Sequence, residues 1–571
     1  MKNKKTRRQG FIEGSAVLLA ATAVVKILGA LFKIPLNNIL GELGAGYYTT
    51  AYDLYLPIFS LATAGVPVAV SRIISEDIAN GEYRDAEITF KTAKKTAIIT
   101  GVVGTLIFSL VSYPFVLLTC GGNLKMMLPV LSVIPCFGFS MVTAVYRGYF
   151  EGQRNMVPTA VSGIIEASGK LVFGLLLSLA VLNLRGDRTM KTLIYSASAA
   201  LIGITLSTAV GMVYLIVKCK KNRDISNFQP LDLSVSKERE AFKKILVVAL
   251  PVVLCSLLTN VTSLIDVMTV KNQLTRAISA DKAYFLSKYS ALIEKNILSD
   301  PNFTVADLPT ALYGCHRSYA YSVYNLVPVL TSSFGIGLIP ILSSAWAKGN
   351  KKEIKQNIET MIKTVSLLSM AAGMGILSLS KPILTLLYPD NTVAVAVAAK
   401  NLKILGVAAV FSGICVPMFN MLQAIGKQNI PLYNILIGAG LKILLNYTLV
   451  SNPKVNIVGV PIGTAVCYMY VAISDFLCLI KYSDVRLNLK NTVLKPFVSA
   501  VACGITAKVS YVLLGKIINS NSALTVISML FAVAVFVLSV ILLRTIDKND
   551  VISLPQSEKI VKTLEKIRII R

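Results

Sequence analysis

The sequence predicts an all-α polytopic membrane protein, and its composition and its apolar runs carry that prediction. Hydrophobic residues make up 54% of the 571 residues and charged residues only 15%, whereas about 25% of a typical soluble domain is charged. The apolar residues also fall in runs of about 20, the length that a helix needs to cross a hydrocarbon core. So few charges could not cover the surface of a soluble protein of this length. Soluble enzymes, secreted domains and disordered proteins are therefore excluded.

The excess of basic residues agrees with this class. The net charge is +28, from 57 Lys and Arg against 29 Asp and Glu. In a soluble protein such a charge would indicate nucleic acid, but these basic residues lie mainly between apolar runs, where cytoplasmic loops collect Lys and Arg. We therefore expect no nucleic-acid partner. A single His in the chain argues against His-based catalysis and a His-ligated metal.

Fourteen apolar runs are long enough to be membrane spans. Six lie in the first half, at about 11–32, 47–71, 93–118, 124–146, 157–182 and 191–217. Eight follow, at about 244–270, 318–346, 357–380, 395–424, 430–451, 456–480, 493–515 and 522–543. The basic stretch Met1–Arg8 precedes the first run as in a signal peptide, but no convincing cleavage site follows it. We predict an uncleaved first span.

The distribution of charge predicts the orientation of these spans. An even number of spans places both termini on one side, and the basic N-terminal tail makes that side cytoplasmic. The basic loop 218–244 is then cytoplasmic too. The long segment 271–317 is predicted to be external, with an amphipathic helix near 284–292.

An internal repeat organises the spans. The pattern A-Y-x-x-Y at 51–55 recurs at 320–324, and the similarity keeps its order over a region that ends near Lys170 and Lys442. Each copy holds six spans, so the repeats are parallel, and such repeats place a substrate site between two lobes. The predicted organisation is an N-lobe at 1–230, a C-lobe at 231–485 with the insertion 271–317, two extra helices at 486–545 and a basic cytoplasmic tail at 546–571. Two six-helix lobes around a central cavity are typical of a transporter.

Four segments carry a family resemblance: K-I-L-G at 26–29, S-L-A-T-A-G-V-P-V-A at 60–69, R-G-Y-F-E-G-Q at 147–153 and A-L-Y-G at 311–314. They resemble the stage V sporulation protein B and polysaccharide-biosynthesis family of the multidrug/oligosaccharidyl-lipid/polysaccharide exporter superfamily, which also contains the lipid II flippases. The resemblance implies a non-enzymatic, multi-pass protein of the bacterial cytoplasmic membrane. Its substrate would be an undecaprenyl-pyrophosphate-linked sugar, used for peptidoglycan, spore cortex or polysaccharide. Membrane lipids are expected to surround the protein. It is also expected to act as a monomer.

Three lysines lie within predicted spans: Lys26, Lys170 and Lys442. Each costs about 2.5–3.5 kcal/mol on insertion scales, so the three together cost roughly 8–10 kcal/mol. A pyrophosphate group needs cationic partners in a low-dielectric cavity, which gives these lysines a function. The alternative is internal neutralisation, since Glu166 precedes Lys170 by one helical turn.

The resemblance supports one of these lysines directly. Related lipid II flippases carry a basic residue in span 1 at the position of Lys26. Their further cavity arginines, in spans 2 and 8, fall here near Leu61 and Ser322 and are not carried over. The identity of the lipid-linked substrate therefore stays open.

Acidic residues within spans are candidates for binding a coupling ion. Asp53, Asp266 and Asp475 lie in spans 2, 7 and 12. Asp266 with Asn446 and Thr464 would supply oxygen ligands for Na⁺, and related flippases have a sodium site on spans 7, 11 and 12. The alternative for Asp266 is an interfacial position near the external end of its span. Coupling to Na⁺ and coupling to H⁺ both stay open, and we expect no cofactor and no other metal.

Charged residues at the predicted cytoplasmic span ends are candidate gate contacts: Arg72, Arg147 and Glu151. An ordinary solvated or interfacial position is the alternative for all three.

Two other functions share parts of this pattern. A cation-coupled drug antiporter of the same superfamily would have a similar architecture, but usually twelve spans and fewer cavity cations. A membrane glycosyltransferase commonly places paired acidic residues in its first external loop, where 33–46 holds only Glu42.

Overall fold

The computed structural model describes residues 11–119, 124–221 and 235–545. Regular structure within these ranges is entirely helical, without a strand. Helices suit such an apolar chain because they satisfy every backbone N–H and C=O group internally, away from water. The prediction of an all-α polytopic membrane protein is confirmed. The N-terminal and C-terminal basic tails and the centre of the 218–244 loop lie outside the described residues.

The described part of the first 314 residues forms twelve α-helices. They are α1 Phe11–Thr63, α2 Gly65–Ala79, α3 Tyr83–Thr119, α4 Met127–Val133, α5 Pro135–Gly152, α6 Val157–Gly169, α7 Leu175–Arg185, α8 Met190–Lys221, α9 Val235–Ala280, α10 Lys282–Lys288, α11 Ser290–Ser299 and α12 Leu308–Gly314.

The described residues from 315 onward form eight more. They are α13 Tyr321–Tyr324, α14 Leu326–Ala347, α15 Lys351–Leu387, α16 Thr392–Ala424, α17 Asn429–Leu445, α18 Gly459–Ser483, α19 Lys495–Leu514 and α20 Asn521–Leu542.

Eleven helical stretches within the described residues are long and apolar enough to cross a membrane. The first of them, Ala20–Ala79, includes the predicted span 47–71 and most of the predicted span 11–32. No loop separates these two spans, because α1 continues through a break at Gly41, whose φ is 64°. Glycine adopts this left-handed conformation without the clash that a Cβ would cause.

The chain divides into two compact units, Met1–Gly314 and Cys315–Arg571. This division differs from the predicted lobe boundary at 230/231, because α9 packs on α1, α2 and α3. The packing of α2 on α9 is close: a Cβ added to Gly65 would lie 2.6 Å from the carbonyl oxygen of Ala249. The segment that the repeat assigns to the start of the C-lobe therefore belongs structurally to the first unit.

The insertion 271–317 is helical for much of its length, and its residues up to Gly314 belong to the first unit. Helices α10 and α11 bury Phe285, Tyr289 and Leu292, whereas Leu286 is exposed. Two short helices that meet at Tyr289 therefore stand where one amphipathic helix was predicted. Nζ of Lys295 lies 2.8 Å from Oε2 of Glu42, a carboxylate only 3% exposed on its side chain. The segment is thus an integral part of the unit, while its external location stays a prediction.

Two further acidic residues tie this insertion to the unit. Nζ of Lys125 lies 3.1 Å from Oδ1 of Asp307. The backbone N–H of Met190 donates to Oδ2 of Asp300 at 2.8 Å, and that of Asn302 donates to Oδ1 at 2.8 Å. Burial opposes ionisation of Asp300, but these N–H donors outweigh it and lower the pKa of the carboxyl below its ordinary value.

Candidate transport site

An ion pair joins α5 to α6 in the first unit. Nη2 of Arg147 lies 2.7 Å from Oε1 of Glu166, and Nε of Arg147 donates to Oγ of Ser162 at 3.0 Å. Helix α8 passes so close that a Cβ added to Gly211 would lie 2.9 Å from the same Glu166 oxygen. The direct partner of Glu166 is therefore Arg147, not Lys170, because α5 presents the guanidinium to the face of α6 that carries the carboxylate.

Lys170 follows this pair by one turn. There α6 gives way to a π-helical turn, Lys170–Gly174, a distortion that is frequent at functional sites. The lysine is half-buried, and it interacts electrostatically with Tyr52, Glu166 and Arg147. The arrangement places a lysine inside a predicted span, near both the carboxylate of Glu166 and the guanidinium of Arg147.

Lys26 lies on the part of α1 that runs beside this turn. A Cβ added to Gly163 of α6 would lie 3.6 Å from the Val25 side chain, and one added to Gly174 would lie 2.7 Å from the Phe32 ring. Lys26 lies between these two contacts on α1 and is half-buried. Two of the three predicted cavity lysines therefore lie along one seam, formed by α1, α6 and the π-helical turn.

The structure adds Lys33 and Tyr52 to this seam, neither of which the sequence had singled out as a site residue. Nζ of Lys33 lies 6.0 Å from the centroid of the Tyr52 ring, and Tyr52 stacks on Tyr48 with centroids 5.7 Å apart. Lys33 follows Lys26 by seven residues, about two helical turns, so the helical period could have placed both on one face.

The third lysine, Lys442, lies in the second unit and is buried. It is 1% exposed and precedes another π-helical turn, Asn446–Val450. A Cβ added to Gly463 of α18 would lie 3.2 Å from Oδ1 of Asn446 and 3.6 Å from Cγ of Lys442. The structure thus brings Lys442 and Asn446 together at Gly463, the residue directly before Thr464.

The predicted sodium ligands divide between the two units. Asn446 and Thr464 are buried in the second unit, whereas Asp266 is 1% exposed on α9 of the first. The hydroxyl of Thr464 donates to the carbonyl oxygen of Val460 at 3.1 Å. A ligand set that includes Asp266 stays a prediction.

Asp53 has a protein donor. It is 3% exposed, and Oδ2 accepts a 3.0 Å hydrogen bond from the hydroxyl of Tyr313 on α12. This contact depends on a close helix crossing, because a Cβ added to Gly46 would lie 2.3 Å from the carbonyl oxygen of Thr310. Nζ of the buried Lys271 lies 5.5 Å from the Tyr313 ring centroid. The role of Asp53 in ion coupling stays a prediction, but its neighbourhood includes two side chains of the insertion.

Asp475 is also buried, at 1% exposure. Its Oδ1 accepts a 2.7 Å hydrogen bond from Nδ2 of Asn434, so α17 supplies a donor to this carboxyl of α18.

The other candidate gate residues have different surroundings. Arg72 is exposed and lines a polar pocket of about 510 Å³ together with Glu76, Glu240 and Lys243. Glu151 interacts electrostatically with Arg147. Glu151 and Arg147 are therefore neighbours in one cluster, whereas Arg72 belongs to a separate, solvated pocket.

A buried arginine that the sequence pattern did not single out lies directly before the eighth predicted span. Arg317 is 4% exposed, and its guanidinium carbon lies 3.7 Å from the centroid of the Tyr321 ring. Cation–π contacts of this kind stabilise desolvated guanidinium groups. A basic residue directly before the apolar run 318–346 is the signal in the sequence that could have pointed to Arg317.

Two family models match the chain in sequence. The model described as "Polysaccharide biosynthesis protein" matches residues 11–292, and the model described as MatE matches residues 317–448. The lipid II flippase MurJ of Bacillus subtilis is 25% identical over 534 residues, which cover 89% of this chain and 90% of the flippase. Stage V sporulation protein B of the same organism is 22% identical over 566 residues, covering 96% and 98% of the two chains.

Solved structures agree with these matches. The inward closed conformation of lipid II flippase MurJ has a TM-score of 0.64 at 15% identity, over 92% of this chain and 98% of the flippase. An inward-facing multidrug resistance MATE family transporter of the MOP superfamily has a TM-score of 0.63 at 16% identity, over 82% of this chain and 98% of the transporter. At these identities the likeness shows that the chain shares their fold.

Proposed function

We propose that this chain, which belongs to the multidrug/oligosaccharidyl-lipid/polysaccharide exporter superfamily, translocates a lipid-linked pyrophosphate sugar across the bacterial cytoplasmic membrane. The observation that carries the proposal is the pair of half-buried lysines, Lys26 and Lys170, along one seam of α1 and α6. Cations at this depth are costly, and a pyrophosphate group binds ammonium groups through strong charge-assisted hydrogen bonds. The similarity to a lipid II flippase and a sporulation protein supports this class of substrate.

The mechanism is alternating access between two lobes. The head group binds to the lysines of the seam while the lipid tail stays in the bilayer. Binding shifts the conformational equilibrium only if the head group is held more tightly in one state than in the other. The Arg147–Glu166 pair, one turn from Lys170, holds α6 of the seam against α5, and with Glu151 it is the candidate cytoplasmic gate.

No covalent step is part of this function, so we expect no enzymatic activity and no cofactor. The substrate is a lipid-linked oligosaccharide, the surroundings are membrane lipids, and the protein acts as a monomer with both termini in the cytoplasm.

A cation-coupled drug antiporter is the second candidate, favoured by the MatE match to residues 317–448. The charge of the seam argues against it, because lysines in a medium of low effective dielectric repel an organic cation. A negatively charged head group has the opposite, favourable interaction.

Transport by purified protein in proteoliposomes separates the two candidates. We expect movement of fluorescent lipid II between leaflets and no efflux of an organic cation such as ethidium. Efflux of the cation without movement of lipid II between leaflets would favour the antiporter.

A further inference from the structure

An apolar cavity of about 200 Å³ lies between α1, α3 and α4 of the first unit. Its lining includes Tyr55 of α1, Phe108 of α3 and Val130 of α4. The hydroxyl of Ser112, which also lines the cavity, donates to the carbonyl oxygen of Ser109 at 2.6 Å. The cavity therefore presents an apolar surface whose serine hydroxyl already has a partner.

The size of this cavity suits an isoprene unit. An apolar cavity of about 150 Å³ in another protein binds benzene, which has six carbon atoms. An isoprene unit has five, so the larger cavity of this chain has room for at least one unit of a polyprenyl chain.

The cavity continues to the surface of α3 that faces lipid. Val111 lines the cavity and is 50% exposed, and the neighbouring Leu110 is 77% exposed. Large apolar side chains with this exposure on a membrane-spanning helix contact lipid chains. A lipid chain can therefore enter the cavity past Val111 while the rest of it stays in the bilayer.

The cavity also adjoins the cationic seam. The ring of Tyr55, which lines the cavity, has its centroid 6.2 Å from the ring centroid of Tyr52. Nζ of Lys33 lies 6.0 Å from that same Tyr52 centroid. These two distances place the ammonium group of Lys33 two aromatic contacts away from the cavity wall.

The hydroxyl of Tyr55 provides a second link to the seam. It lies 2.9 Å from Sγ of Cys136, and Sγ of Cys136 lies 3.3 Å from Oγ1 of Thr208. Cys136 in turn interacts electrostatically with Lys170. Tyr55 therefore stands between the apolar cavity and the polar groups near Lys170.

We propose that this cavity binds the isoprenoid chain of the substrate at the units next to the pyrophosphate. The inference rests on the proposed function, in which the lysines of the seam bind the pyrophosphate. In a polyprenyl pyrophosphate the first isoprene unit is bonded directly to the phosphate, so a head group held at the seam brings this end of the chain to Tyr55. A phospholipid places a glycerol and two polar esters between its phosphate and its acyl chains, which the apolar lining does not match. The cavity thus selects polyprenyl carriers, whatever sugar they bear.

The test compares the binding of geranyl pyrophosphate, which has two isoprene units, with that of inorganic pyrophosphate. The purified full-length protein is placed in phosphatidylcholine nanodiscs, and nanodiscs without protein give the background partition. Each CH₂ group removed from water raises the affinity roughly fourfold. We therefore expect the wild type to bind geranyl pyrophosphate about tenfold or more tightly than inorganic pyrophosphate.

Two variants close the cavity in different ways. Val133→Phe fills it from a buried position, and Val111→Trp covers its rim from a half-exposed position that spares the core. Each should lower the affinity for geranyl pyrophosphate about tenfold and that for inorganic pyrophosphate less than about twofold. Lys33→Gln should weaken both ligands. Ala472→Phe is the matched control, because it enters an apolar cavity of the second unit from a buried position and should change neither affinity.

Equal binding of the two ligands by the wild type would overturn the proposal, and this result does not depend on any variant. Folded Val133→Phe and Val111→Trp that both keep the wild-type affinity for geranyl pyrophosphate would overturn it as well. Both outcomes leave the binding of pyrophosphate at the seam intact. A wild type that binds neither ligand would instead contradict the proposed function, and the inference with it.

Discussion

Replacing Glu166 with Gln removes the charge that the guanidinium of Arg147 faces at 2.7 Å. The two side chains are 11% and 18% exposed, so screening by water is limited on both sides. A hydrogen bond between charged groups contributes about 1.5–3 kcal/mol, and breaking a fully buried pair costs about 3–5 kcal/mol. Because Arg147 is partly exposed and keeps its bond to Ser162, we expect Glu166→Gln to lower the free energy of unfolding by about 2 kcal/mol.

A double-mutant cycle isolates this pair from other effects of the substitutions. Arg147→Gln and Glu166→Gln are combined, and unfolding is followed by circular dichroism during SDS titration in mixed micelles. We expect a coupling energy of about 1.5 kcal/mol or more between the two positions. Arg72→Gln with Glu166→Gln is the matched control, because Arg72 is exposed and belongs to a different pocket. Additive effects of Arg147→Gln and Glu166→Gln would refute the assignment of the pair.

Three other predictions concern the insertion and the orientation of the chain. Glu42→Gln should destabilise the first unit by about 2 kcal/mol, because Lys295 then loses its buried partner; unchanged hydrogen exchange of α11 would contradict this. The lowered pKa of Asp300 contributes stability above the unfolded-state pKa of about 3.9, and it is lost as the pH falls through the folded-state pKa. The Asp300→Asn variant should therefore lose less stability than the wild type between pH 5 and pH 3, as measured by the melting temperature. A pH profile equal to that of the wild type would contradict stabilisation of the Asp300 carboxylate by the two N–H donors. In a cysteine-free background a Cys at Ser299 should react with an external maleimide and a Cys at Ser236 should not; the reverse pattern would invert the topology.

The long helices could be predicted from sequence because their apolar runs need no tertiary information. The predicted run 395–424, for example, corresponds to α16, Thr392–Ala424. The break at Gly41 was not predicted, because Gly41 lies in the predicted loop 33–46 and a glycine in the sequence gives no indication of its φ angle. The place of α9 in the first unit depends on the contact between Gly65 and Ala249, which joins residues that lie far apart in the chain.

The site could be predicted only in part, because its contacts also join residues that lie far apart in the chain. The hydrophobic pattern revealed the lysines within spans, but it could not distinguish the half-buried Lys170 from the buried Lys442. The partner of Glu166 was expected within its own helix, and only the packing of α5 on α6 reveals Arg147. The part played by Tyr313 beside Asp53 depends on a backbone crossing at Gly46, for which the sequence offers no local signal.

The flipping rate of lipid II by Lys26→Gln and Lys26→Arg tests the central claim most directly. Both variants are reconstituted at equal density, and Lys220→Gln, an exposed lysine at the end of α8, is the control for a general loss of charge. Loss of one charged contact worth about 1.5–3 kcal/mol predicts a fall of roughly 10- to 150-fold for Lys26→Gln. Lys26→Arg should keep part of the activity, and Lys220→Gln nearly all of it. Flipping by Lys26→Gln at the wild-type rate would contradict the binding of an anionic head group to the lysines of the seam.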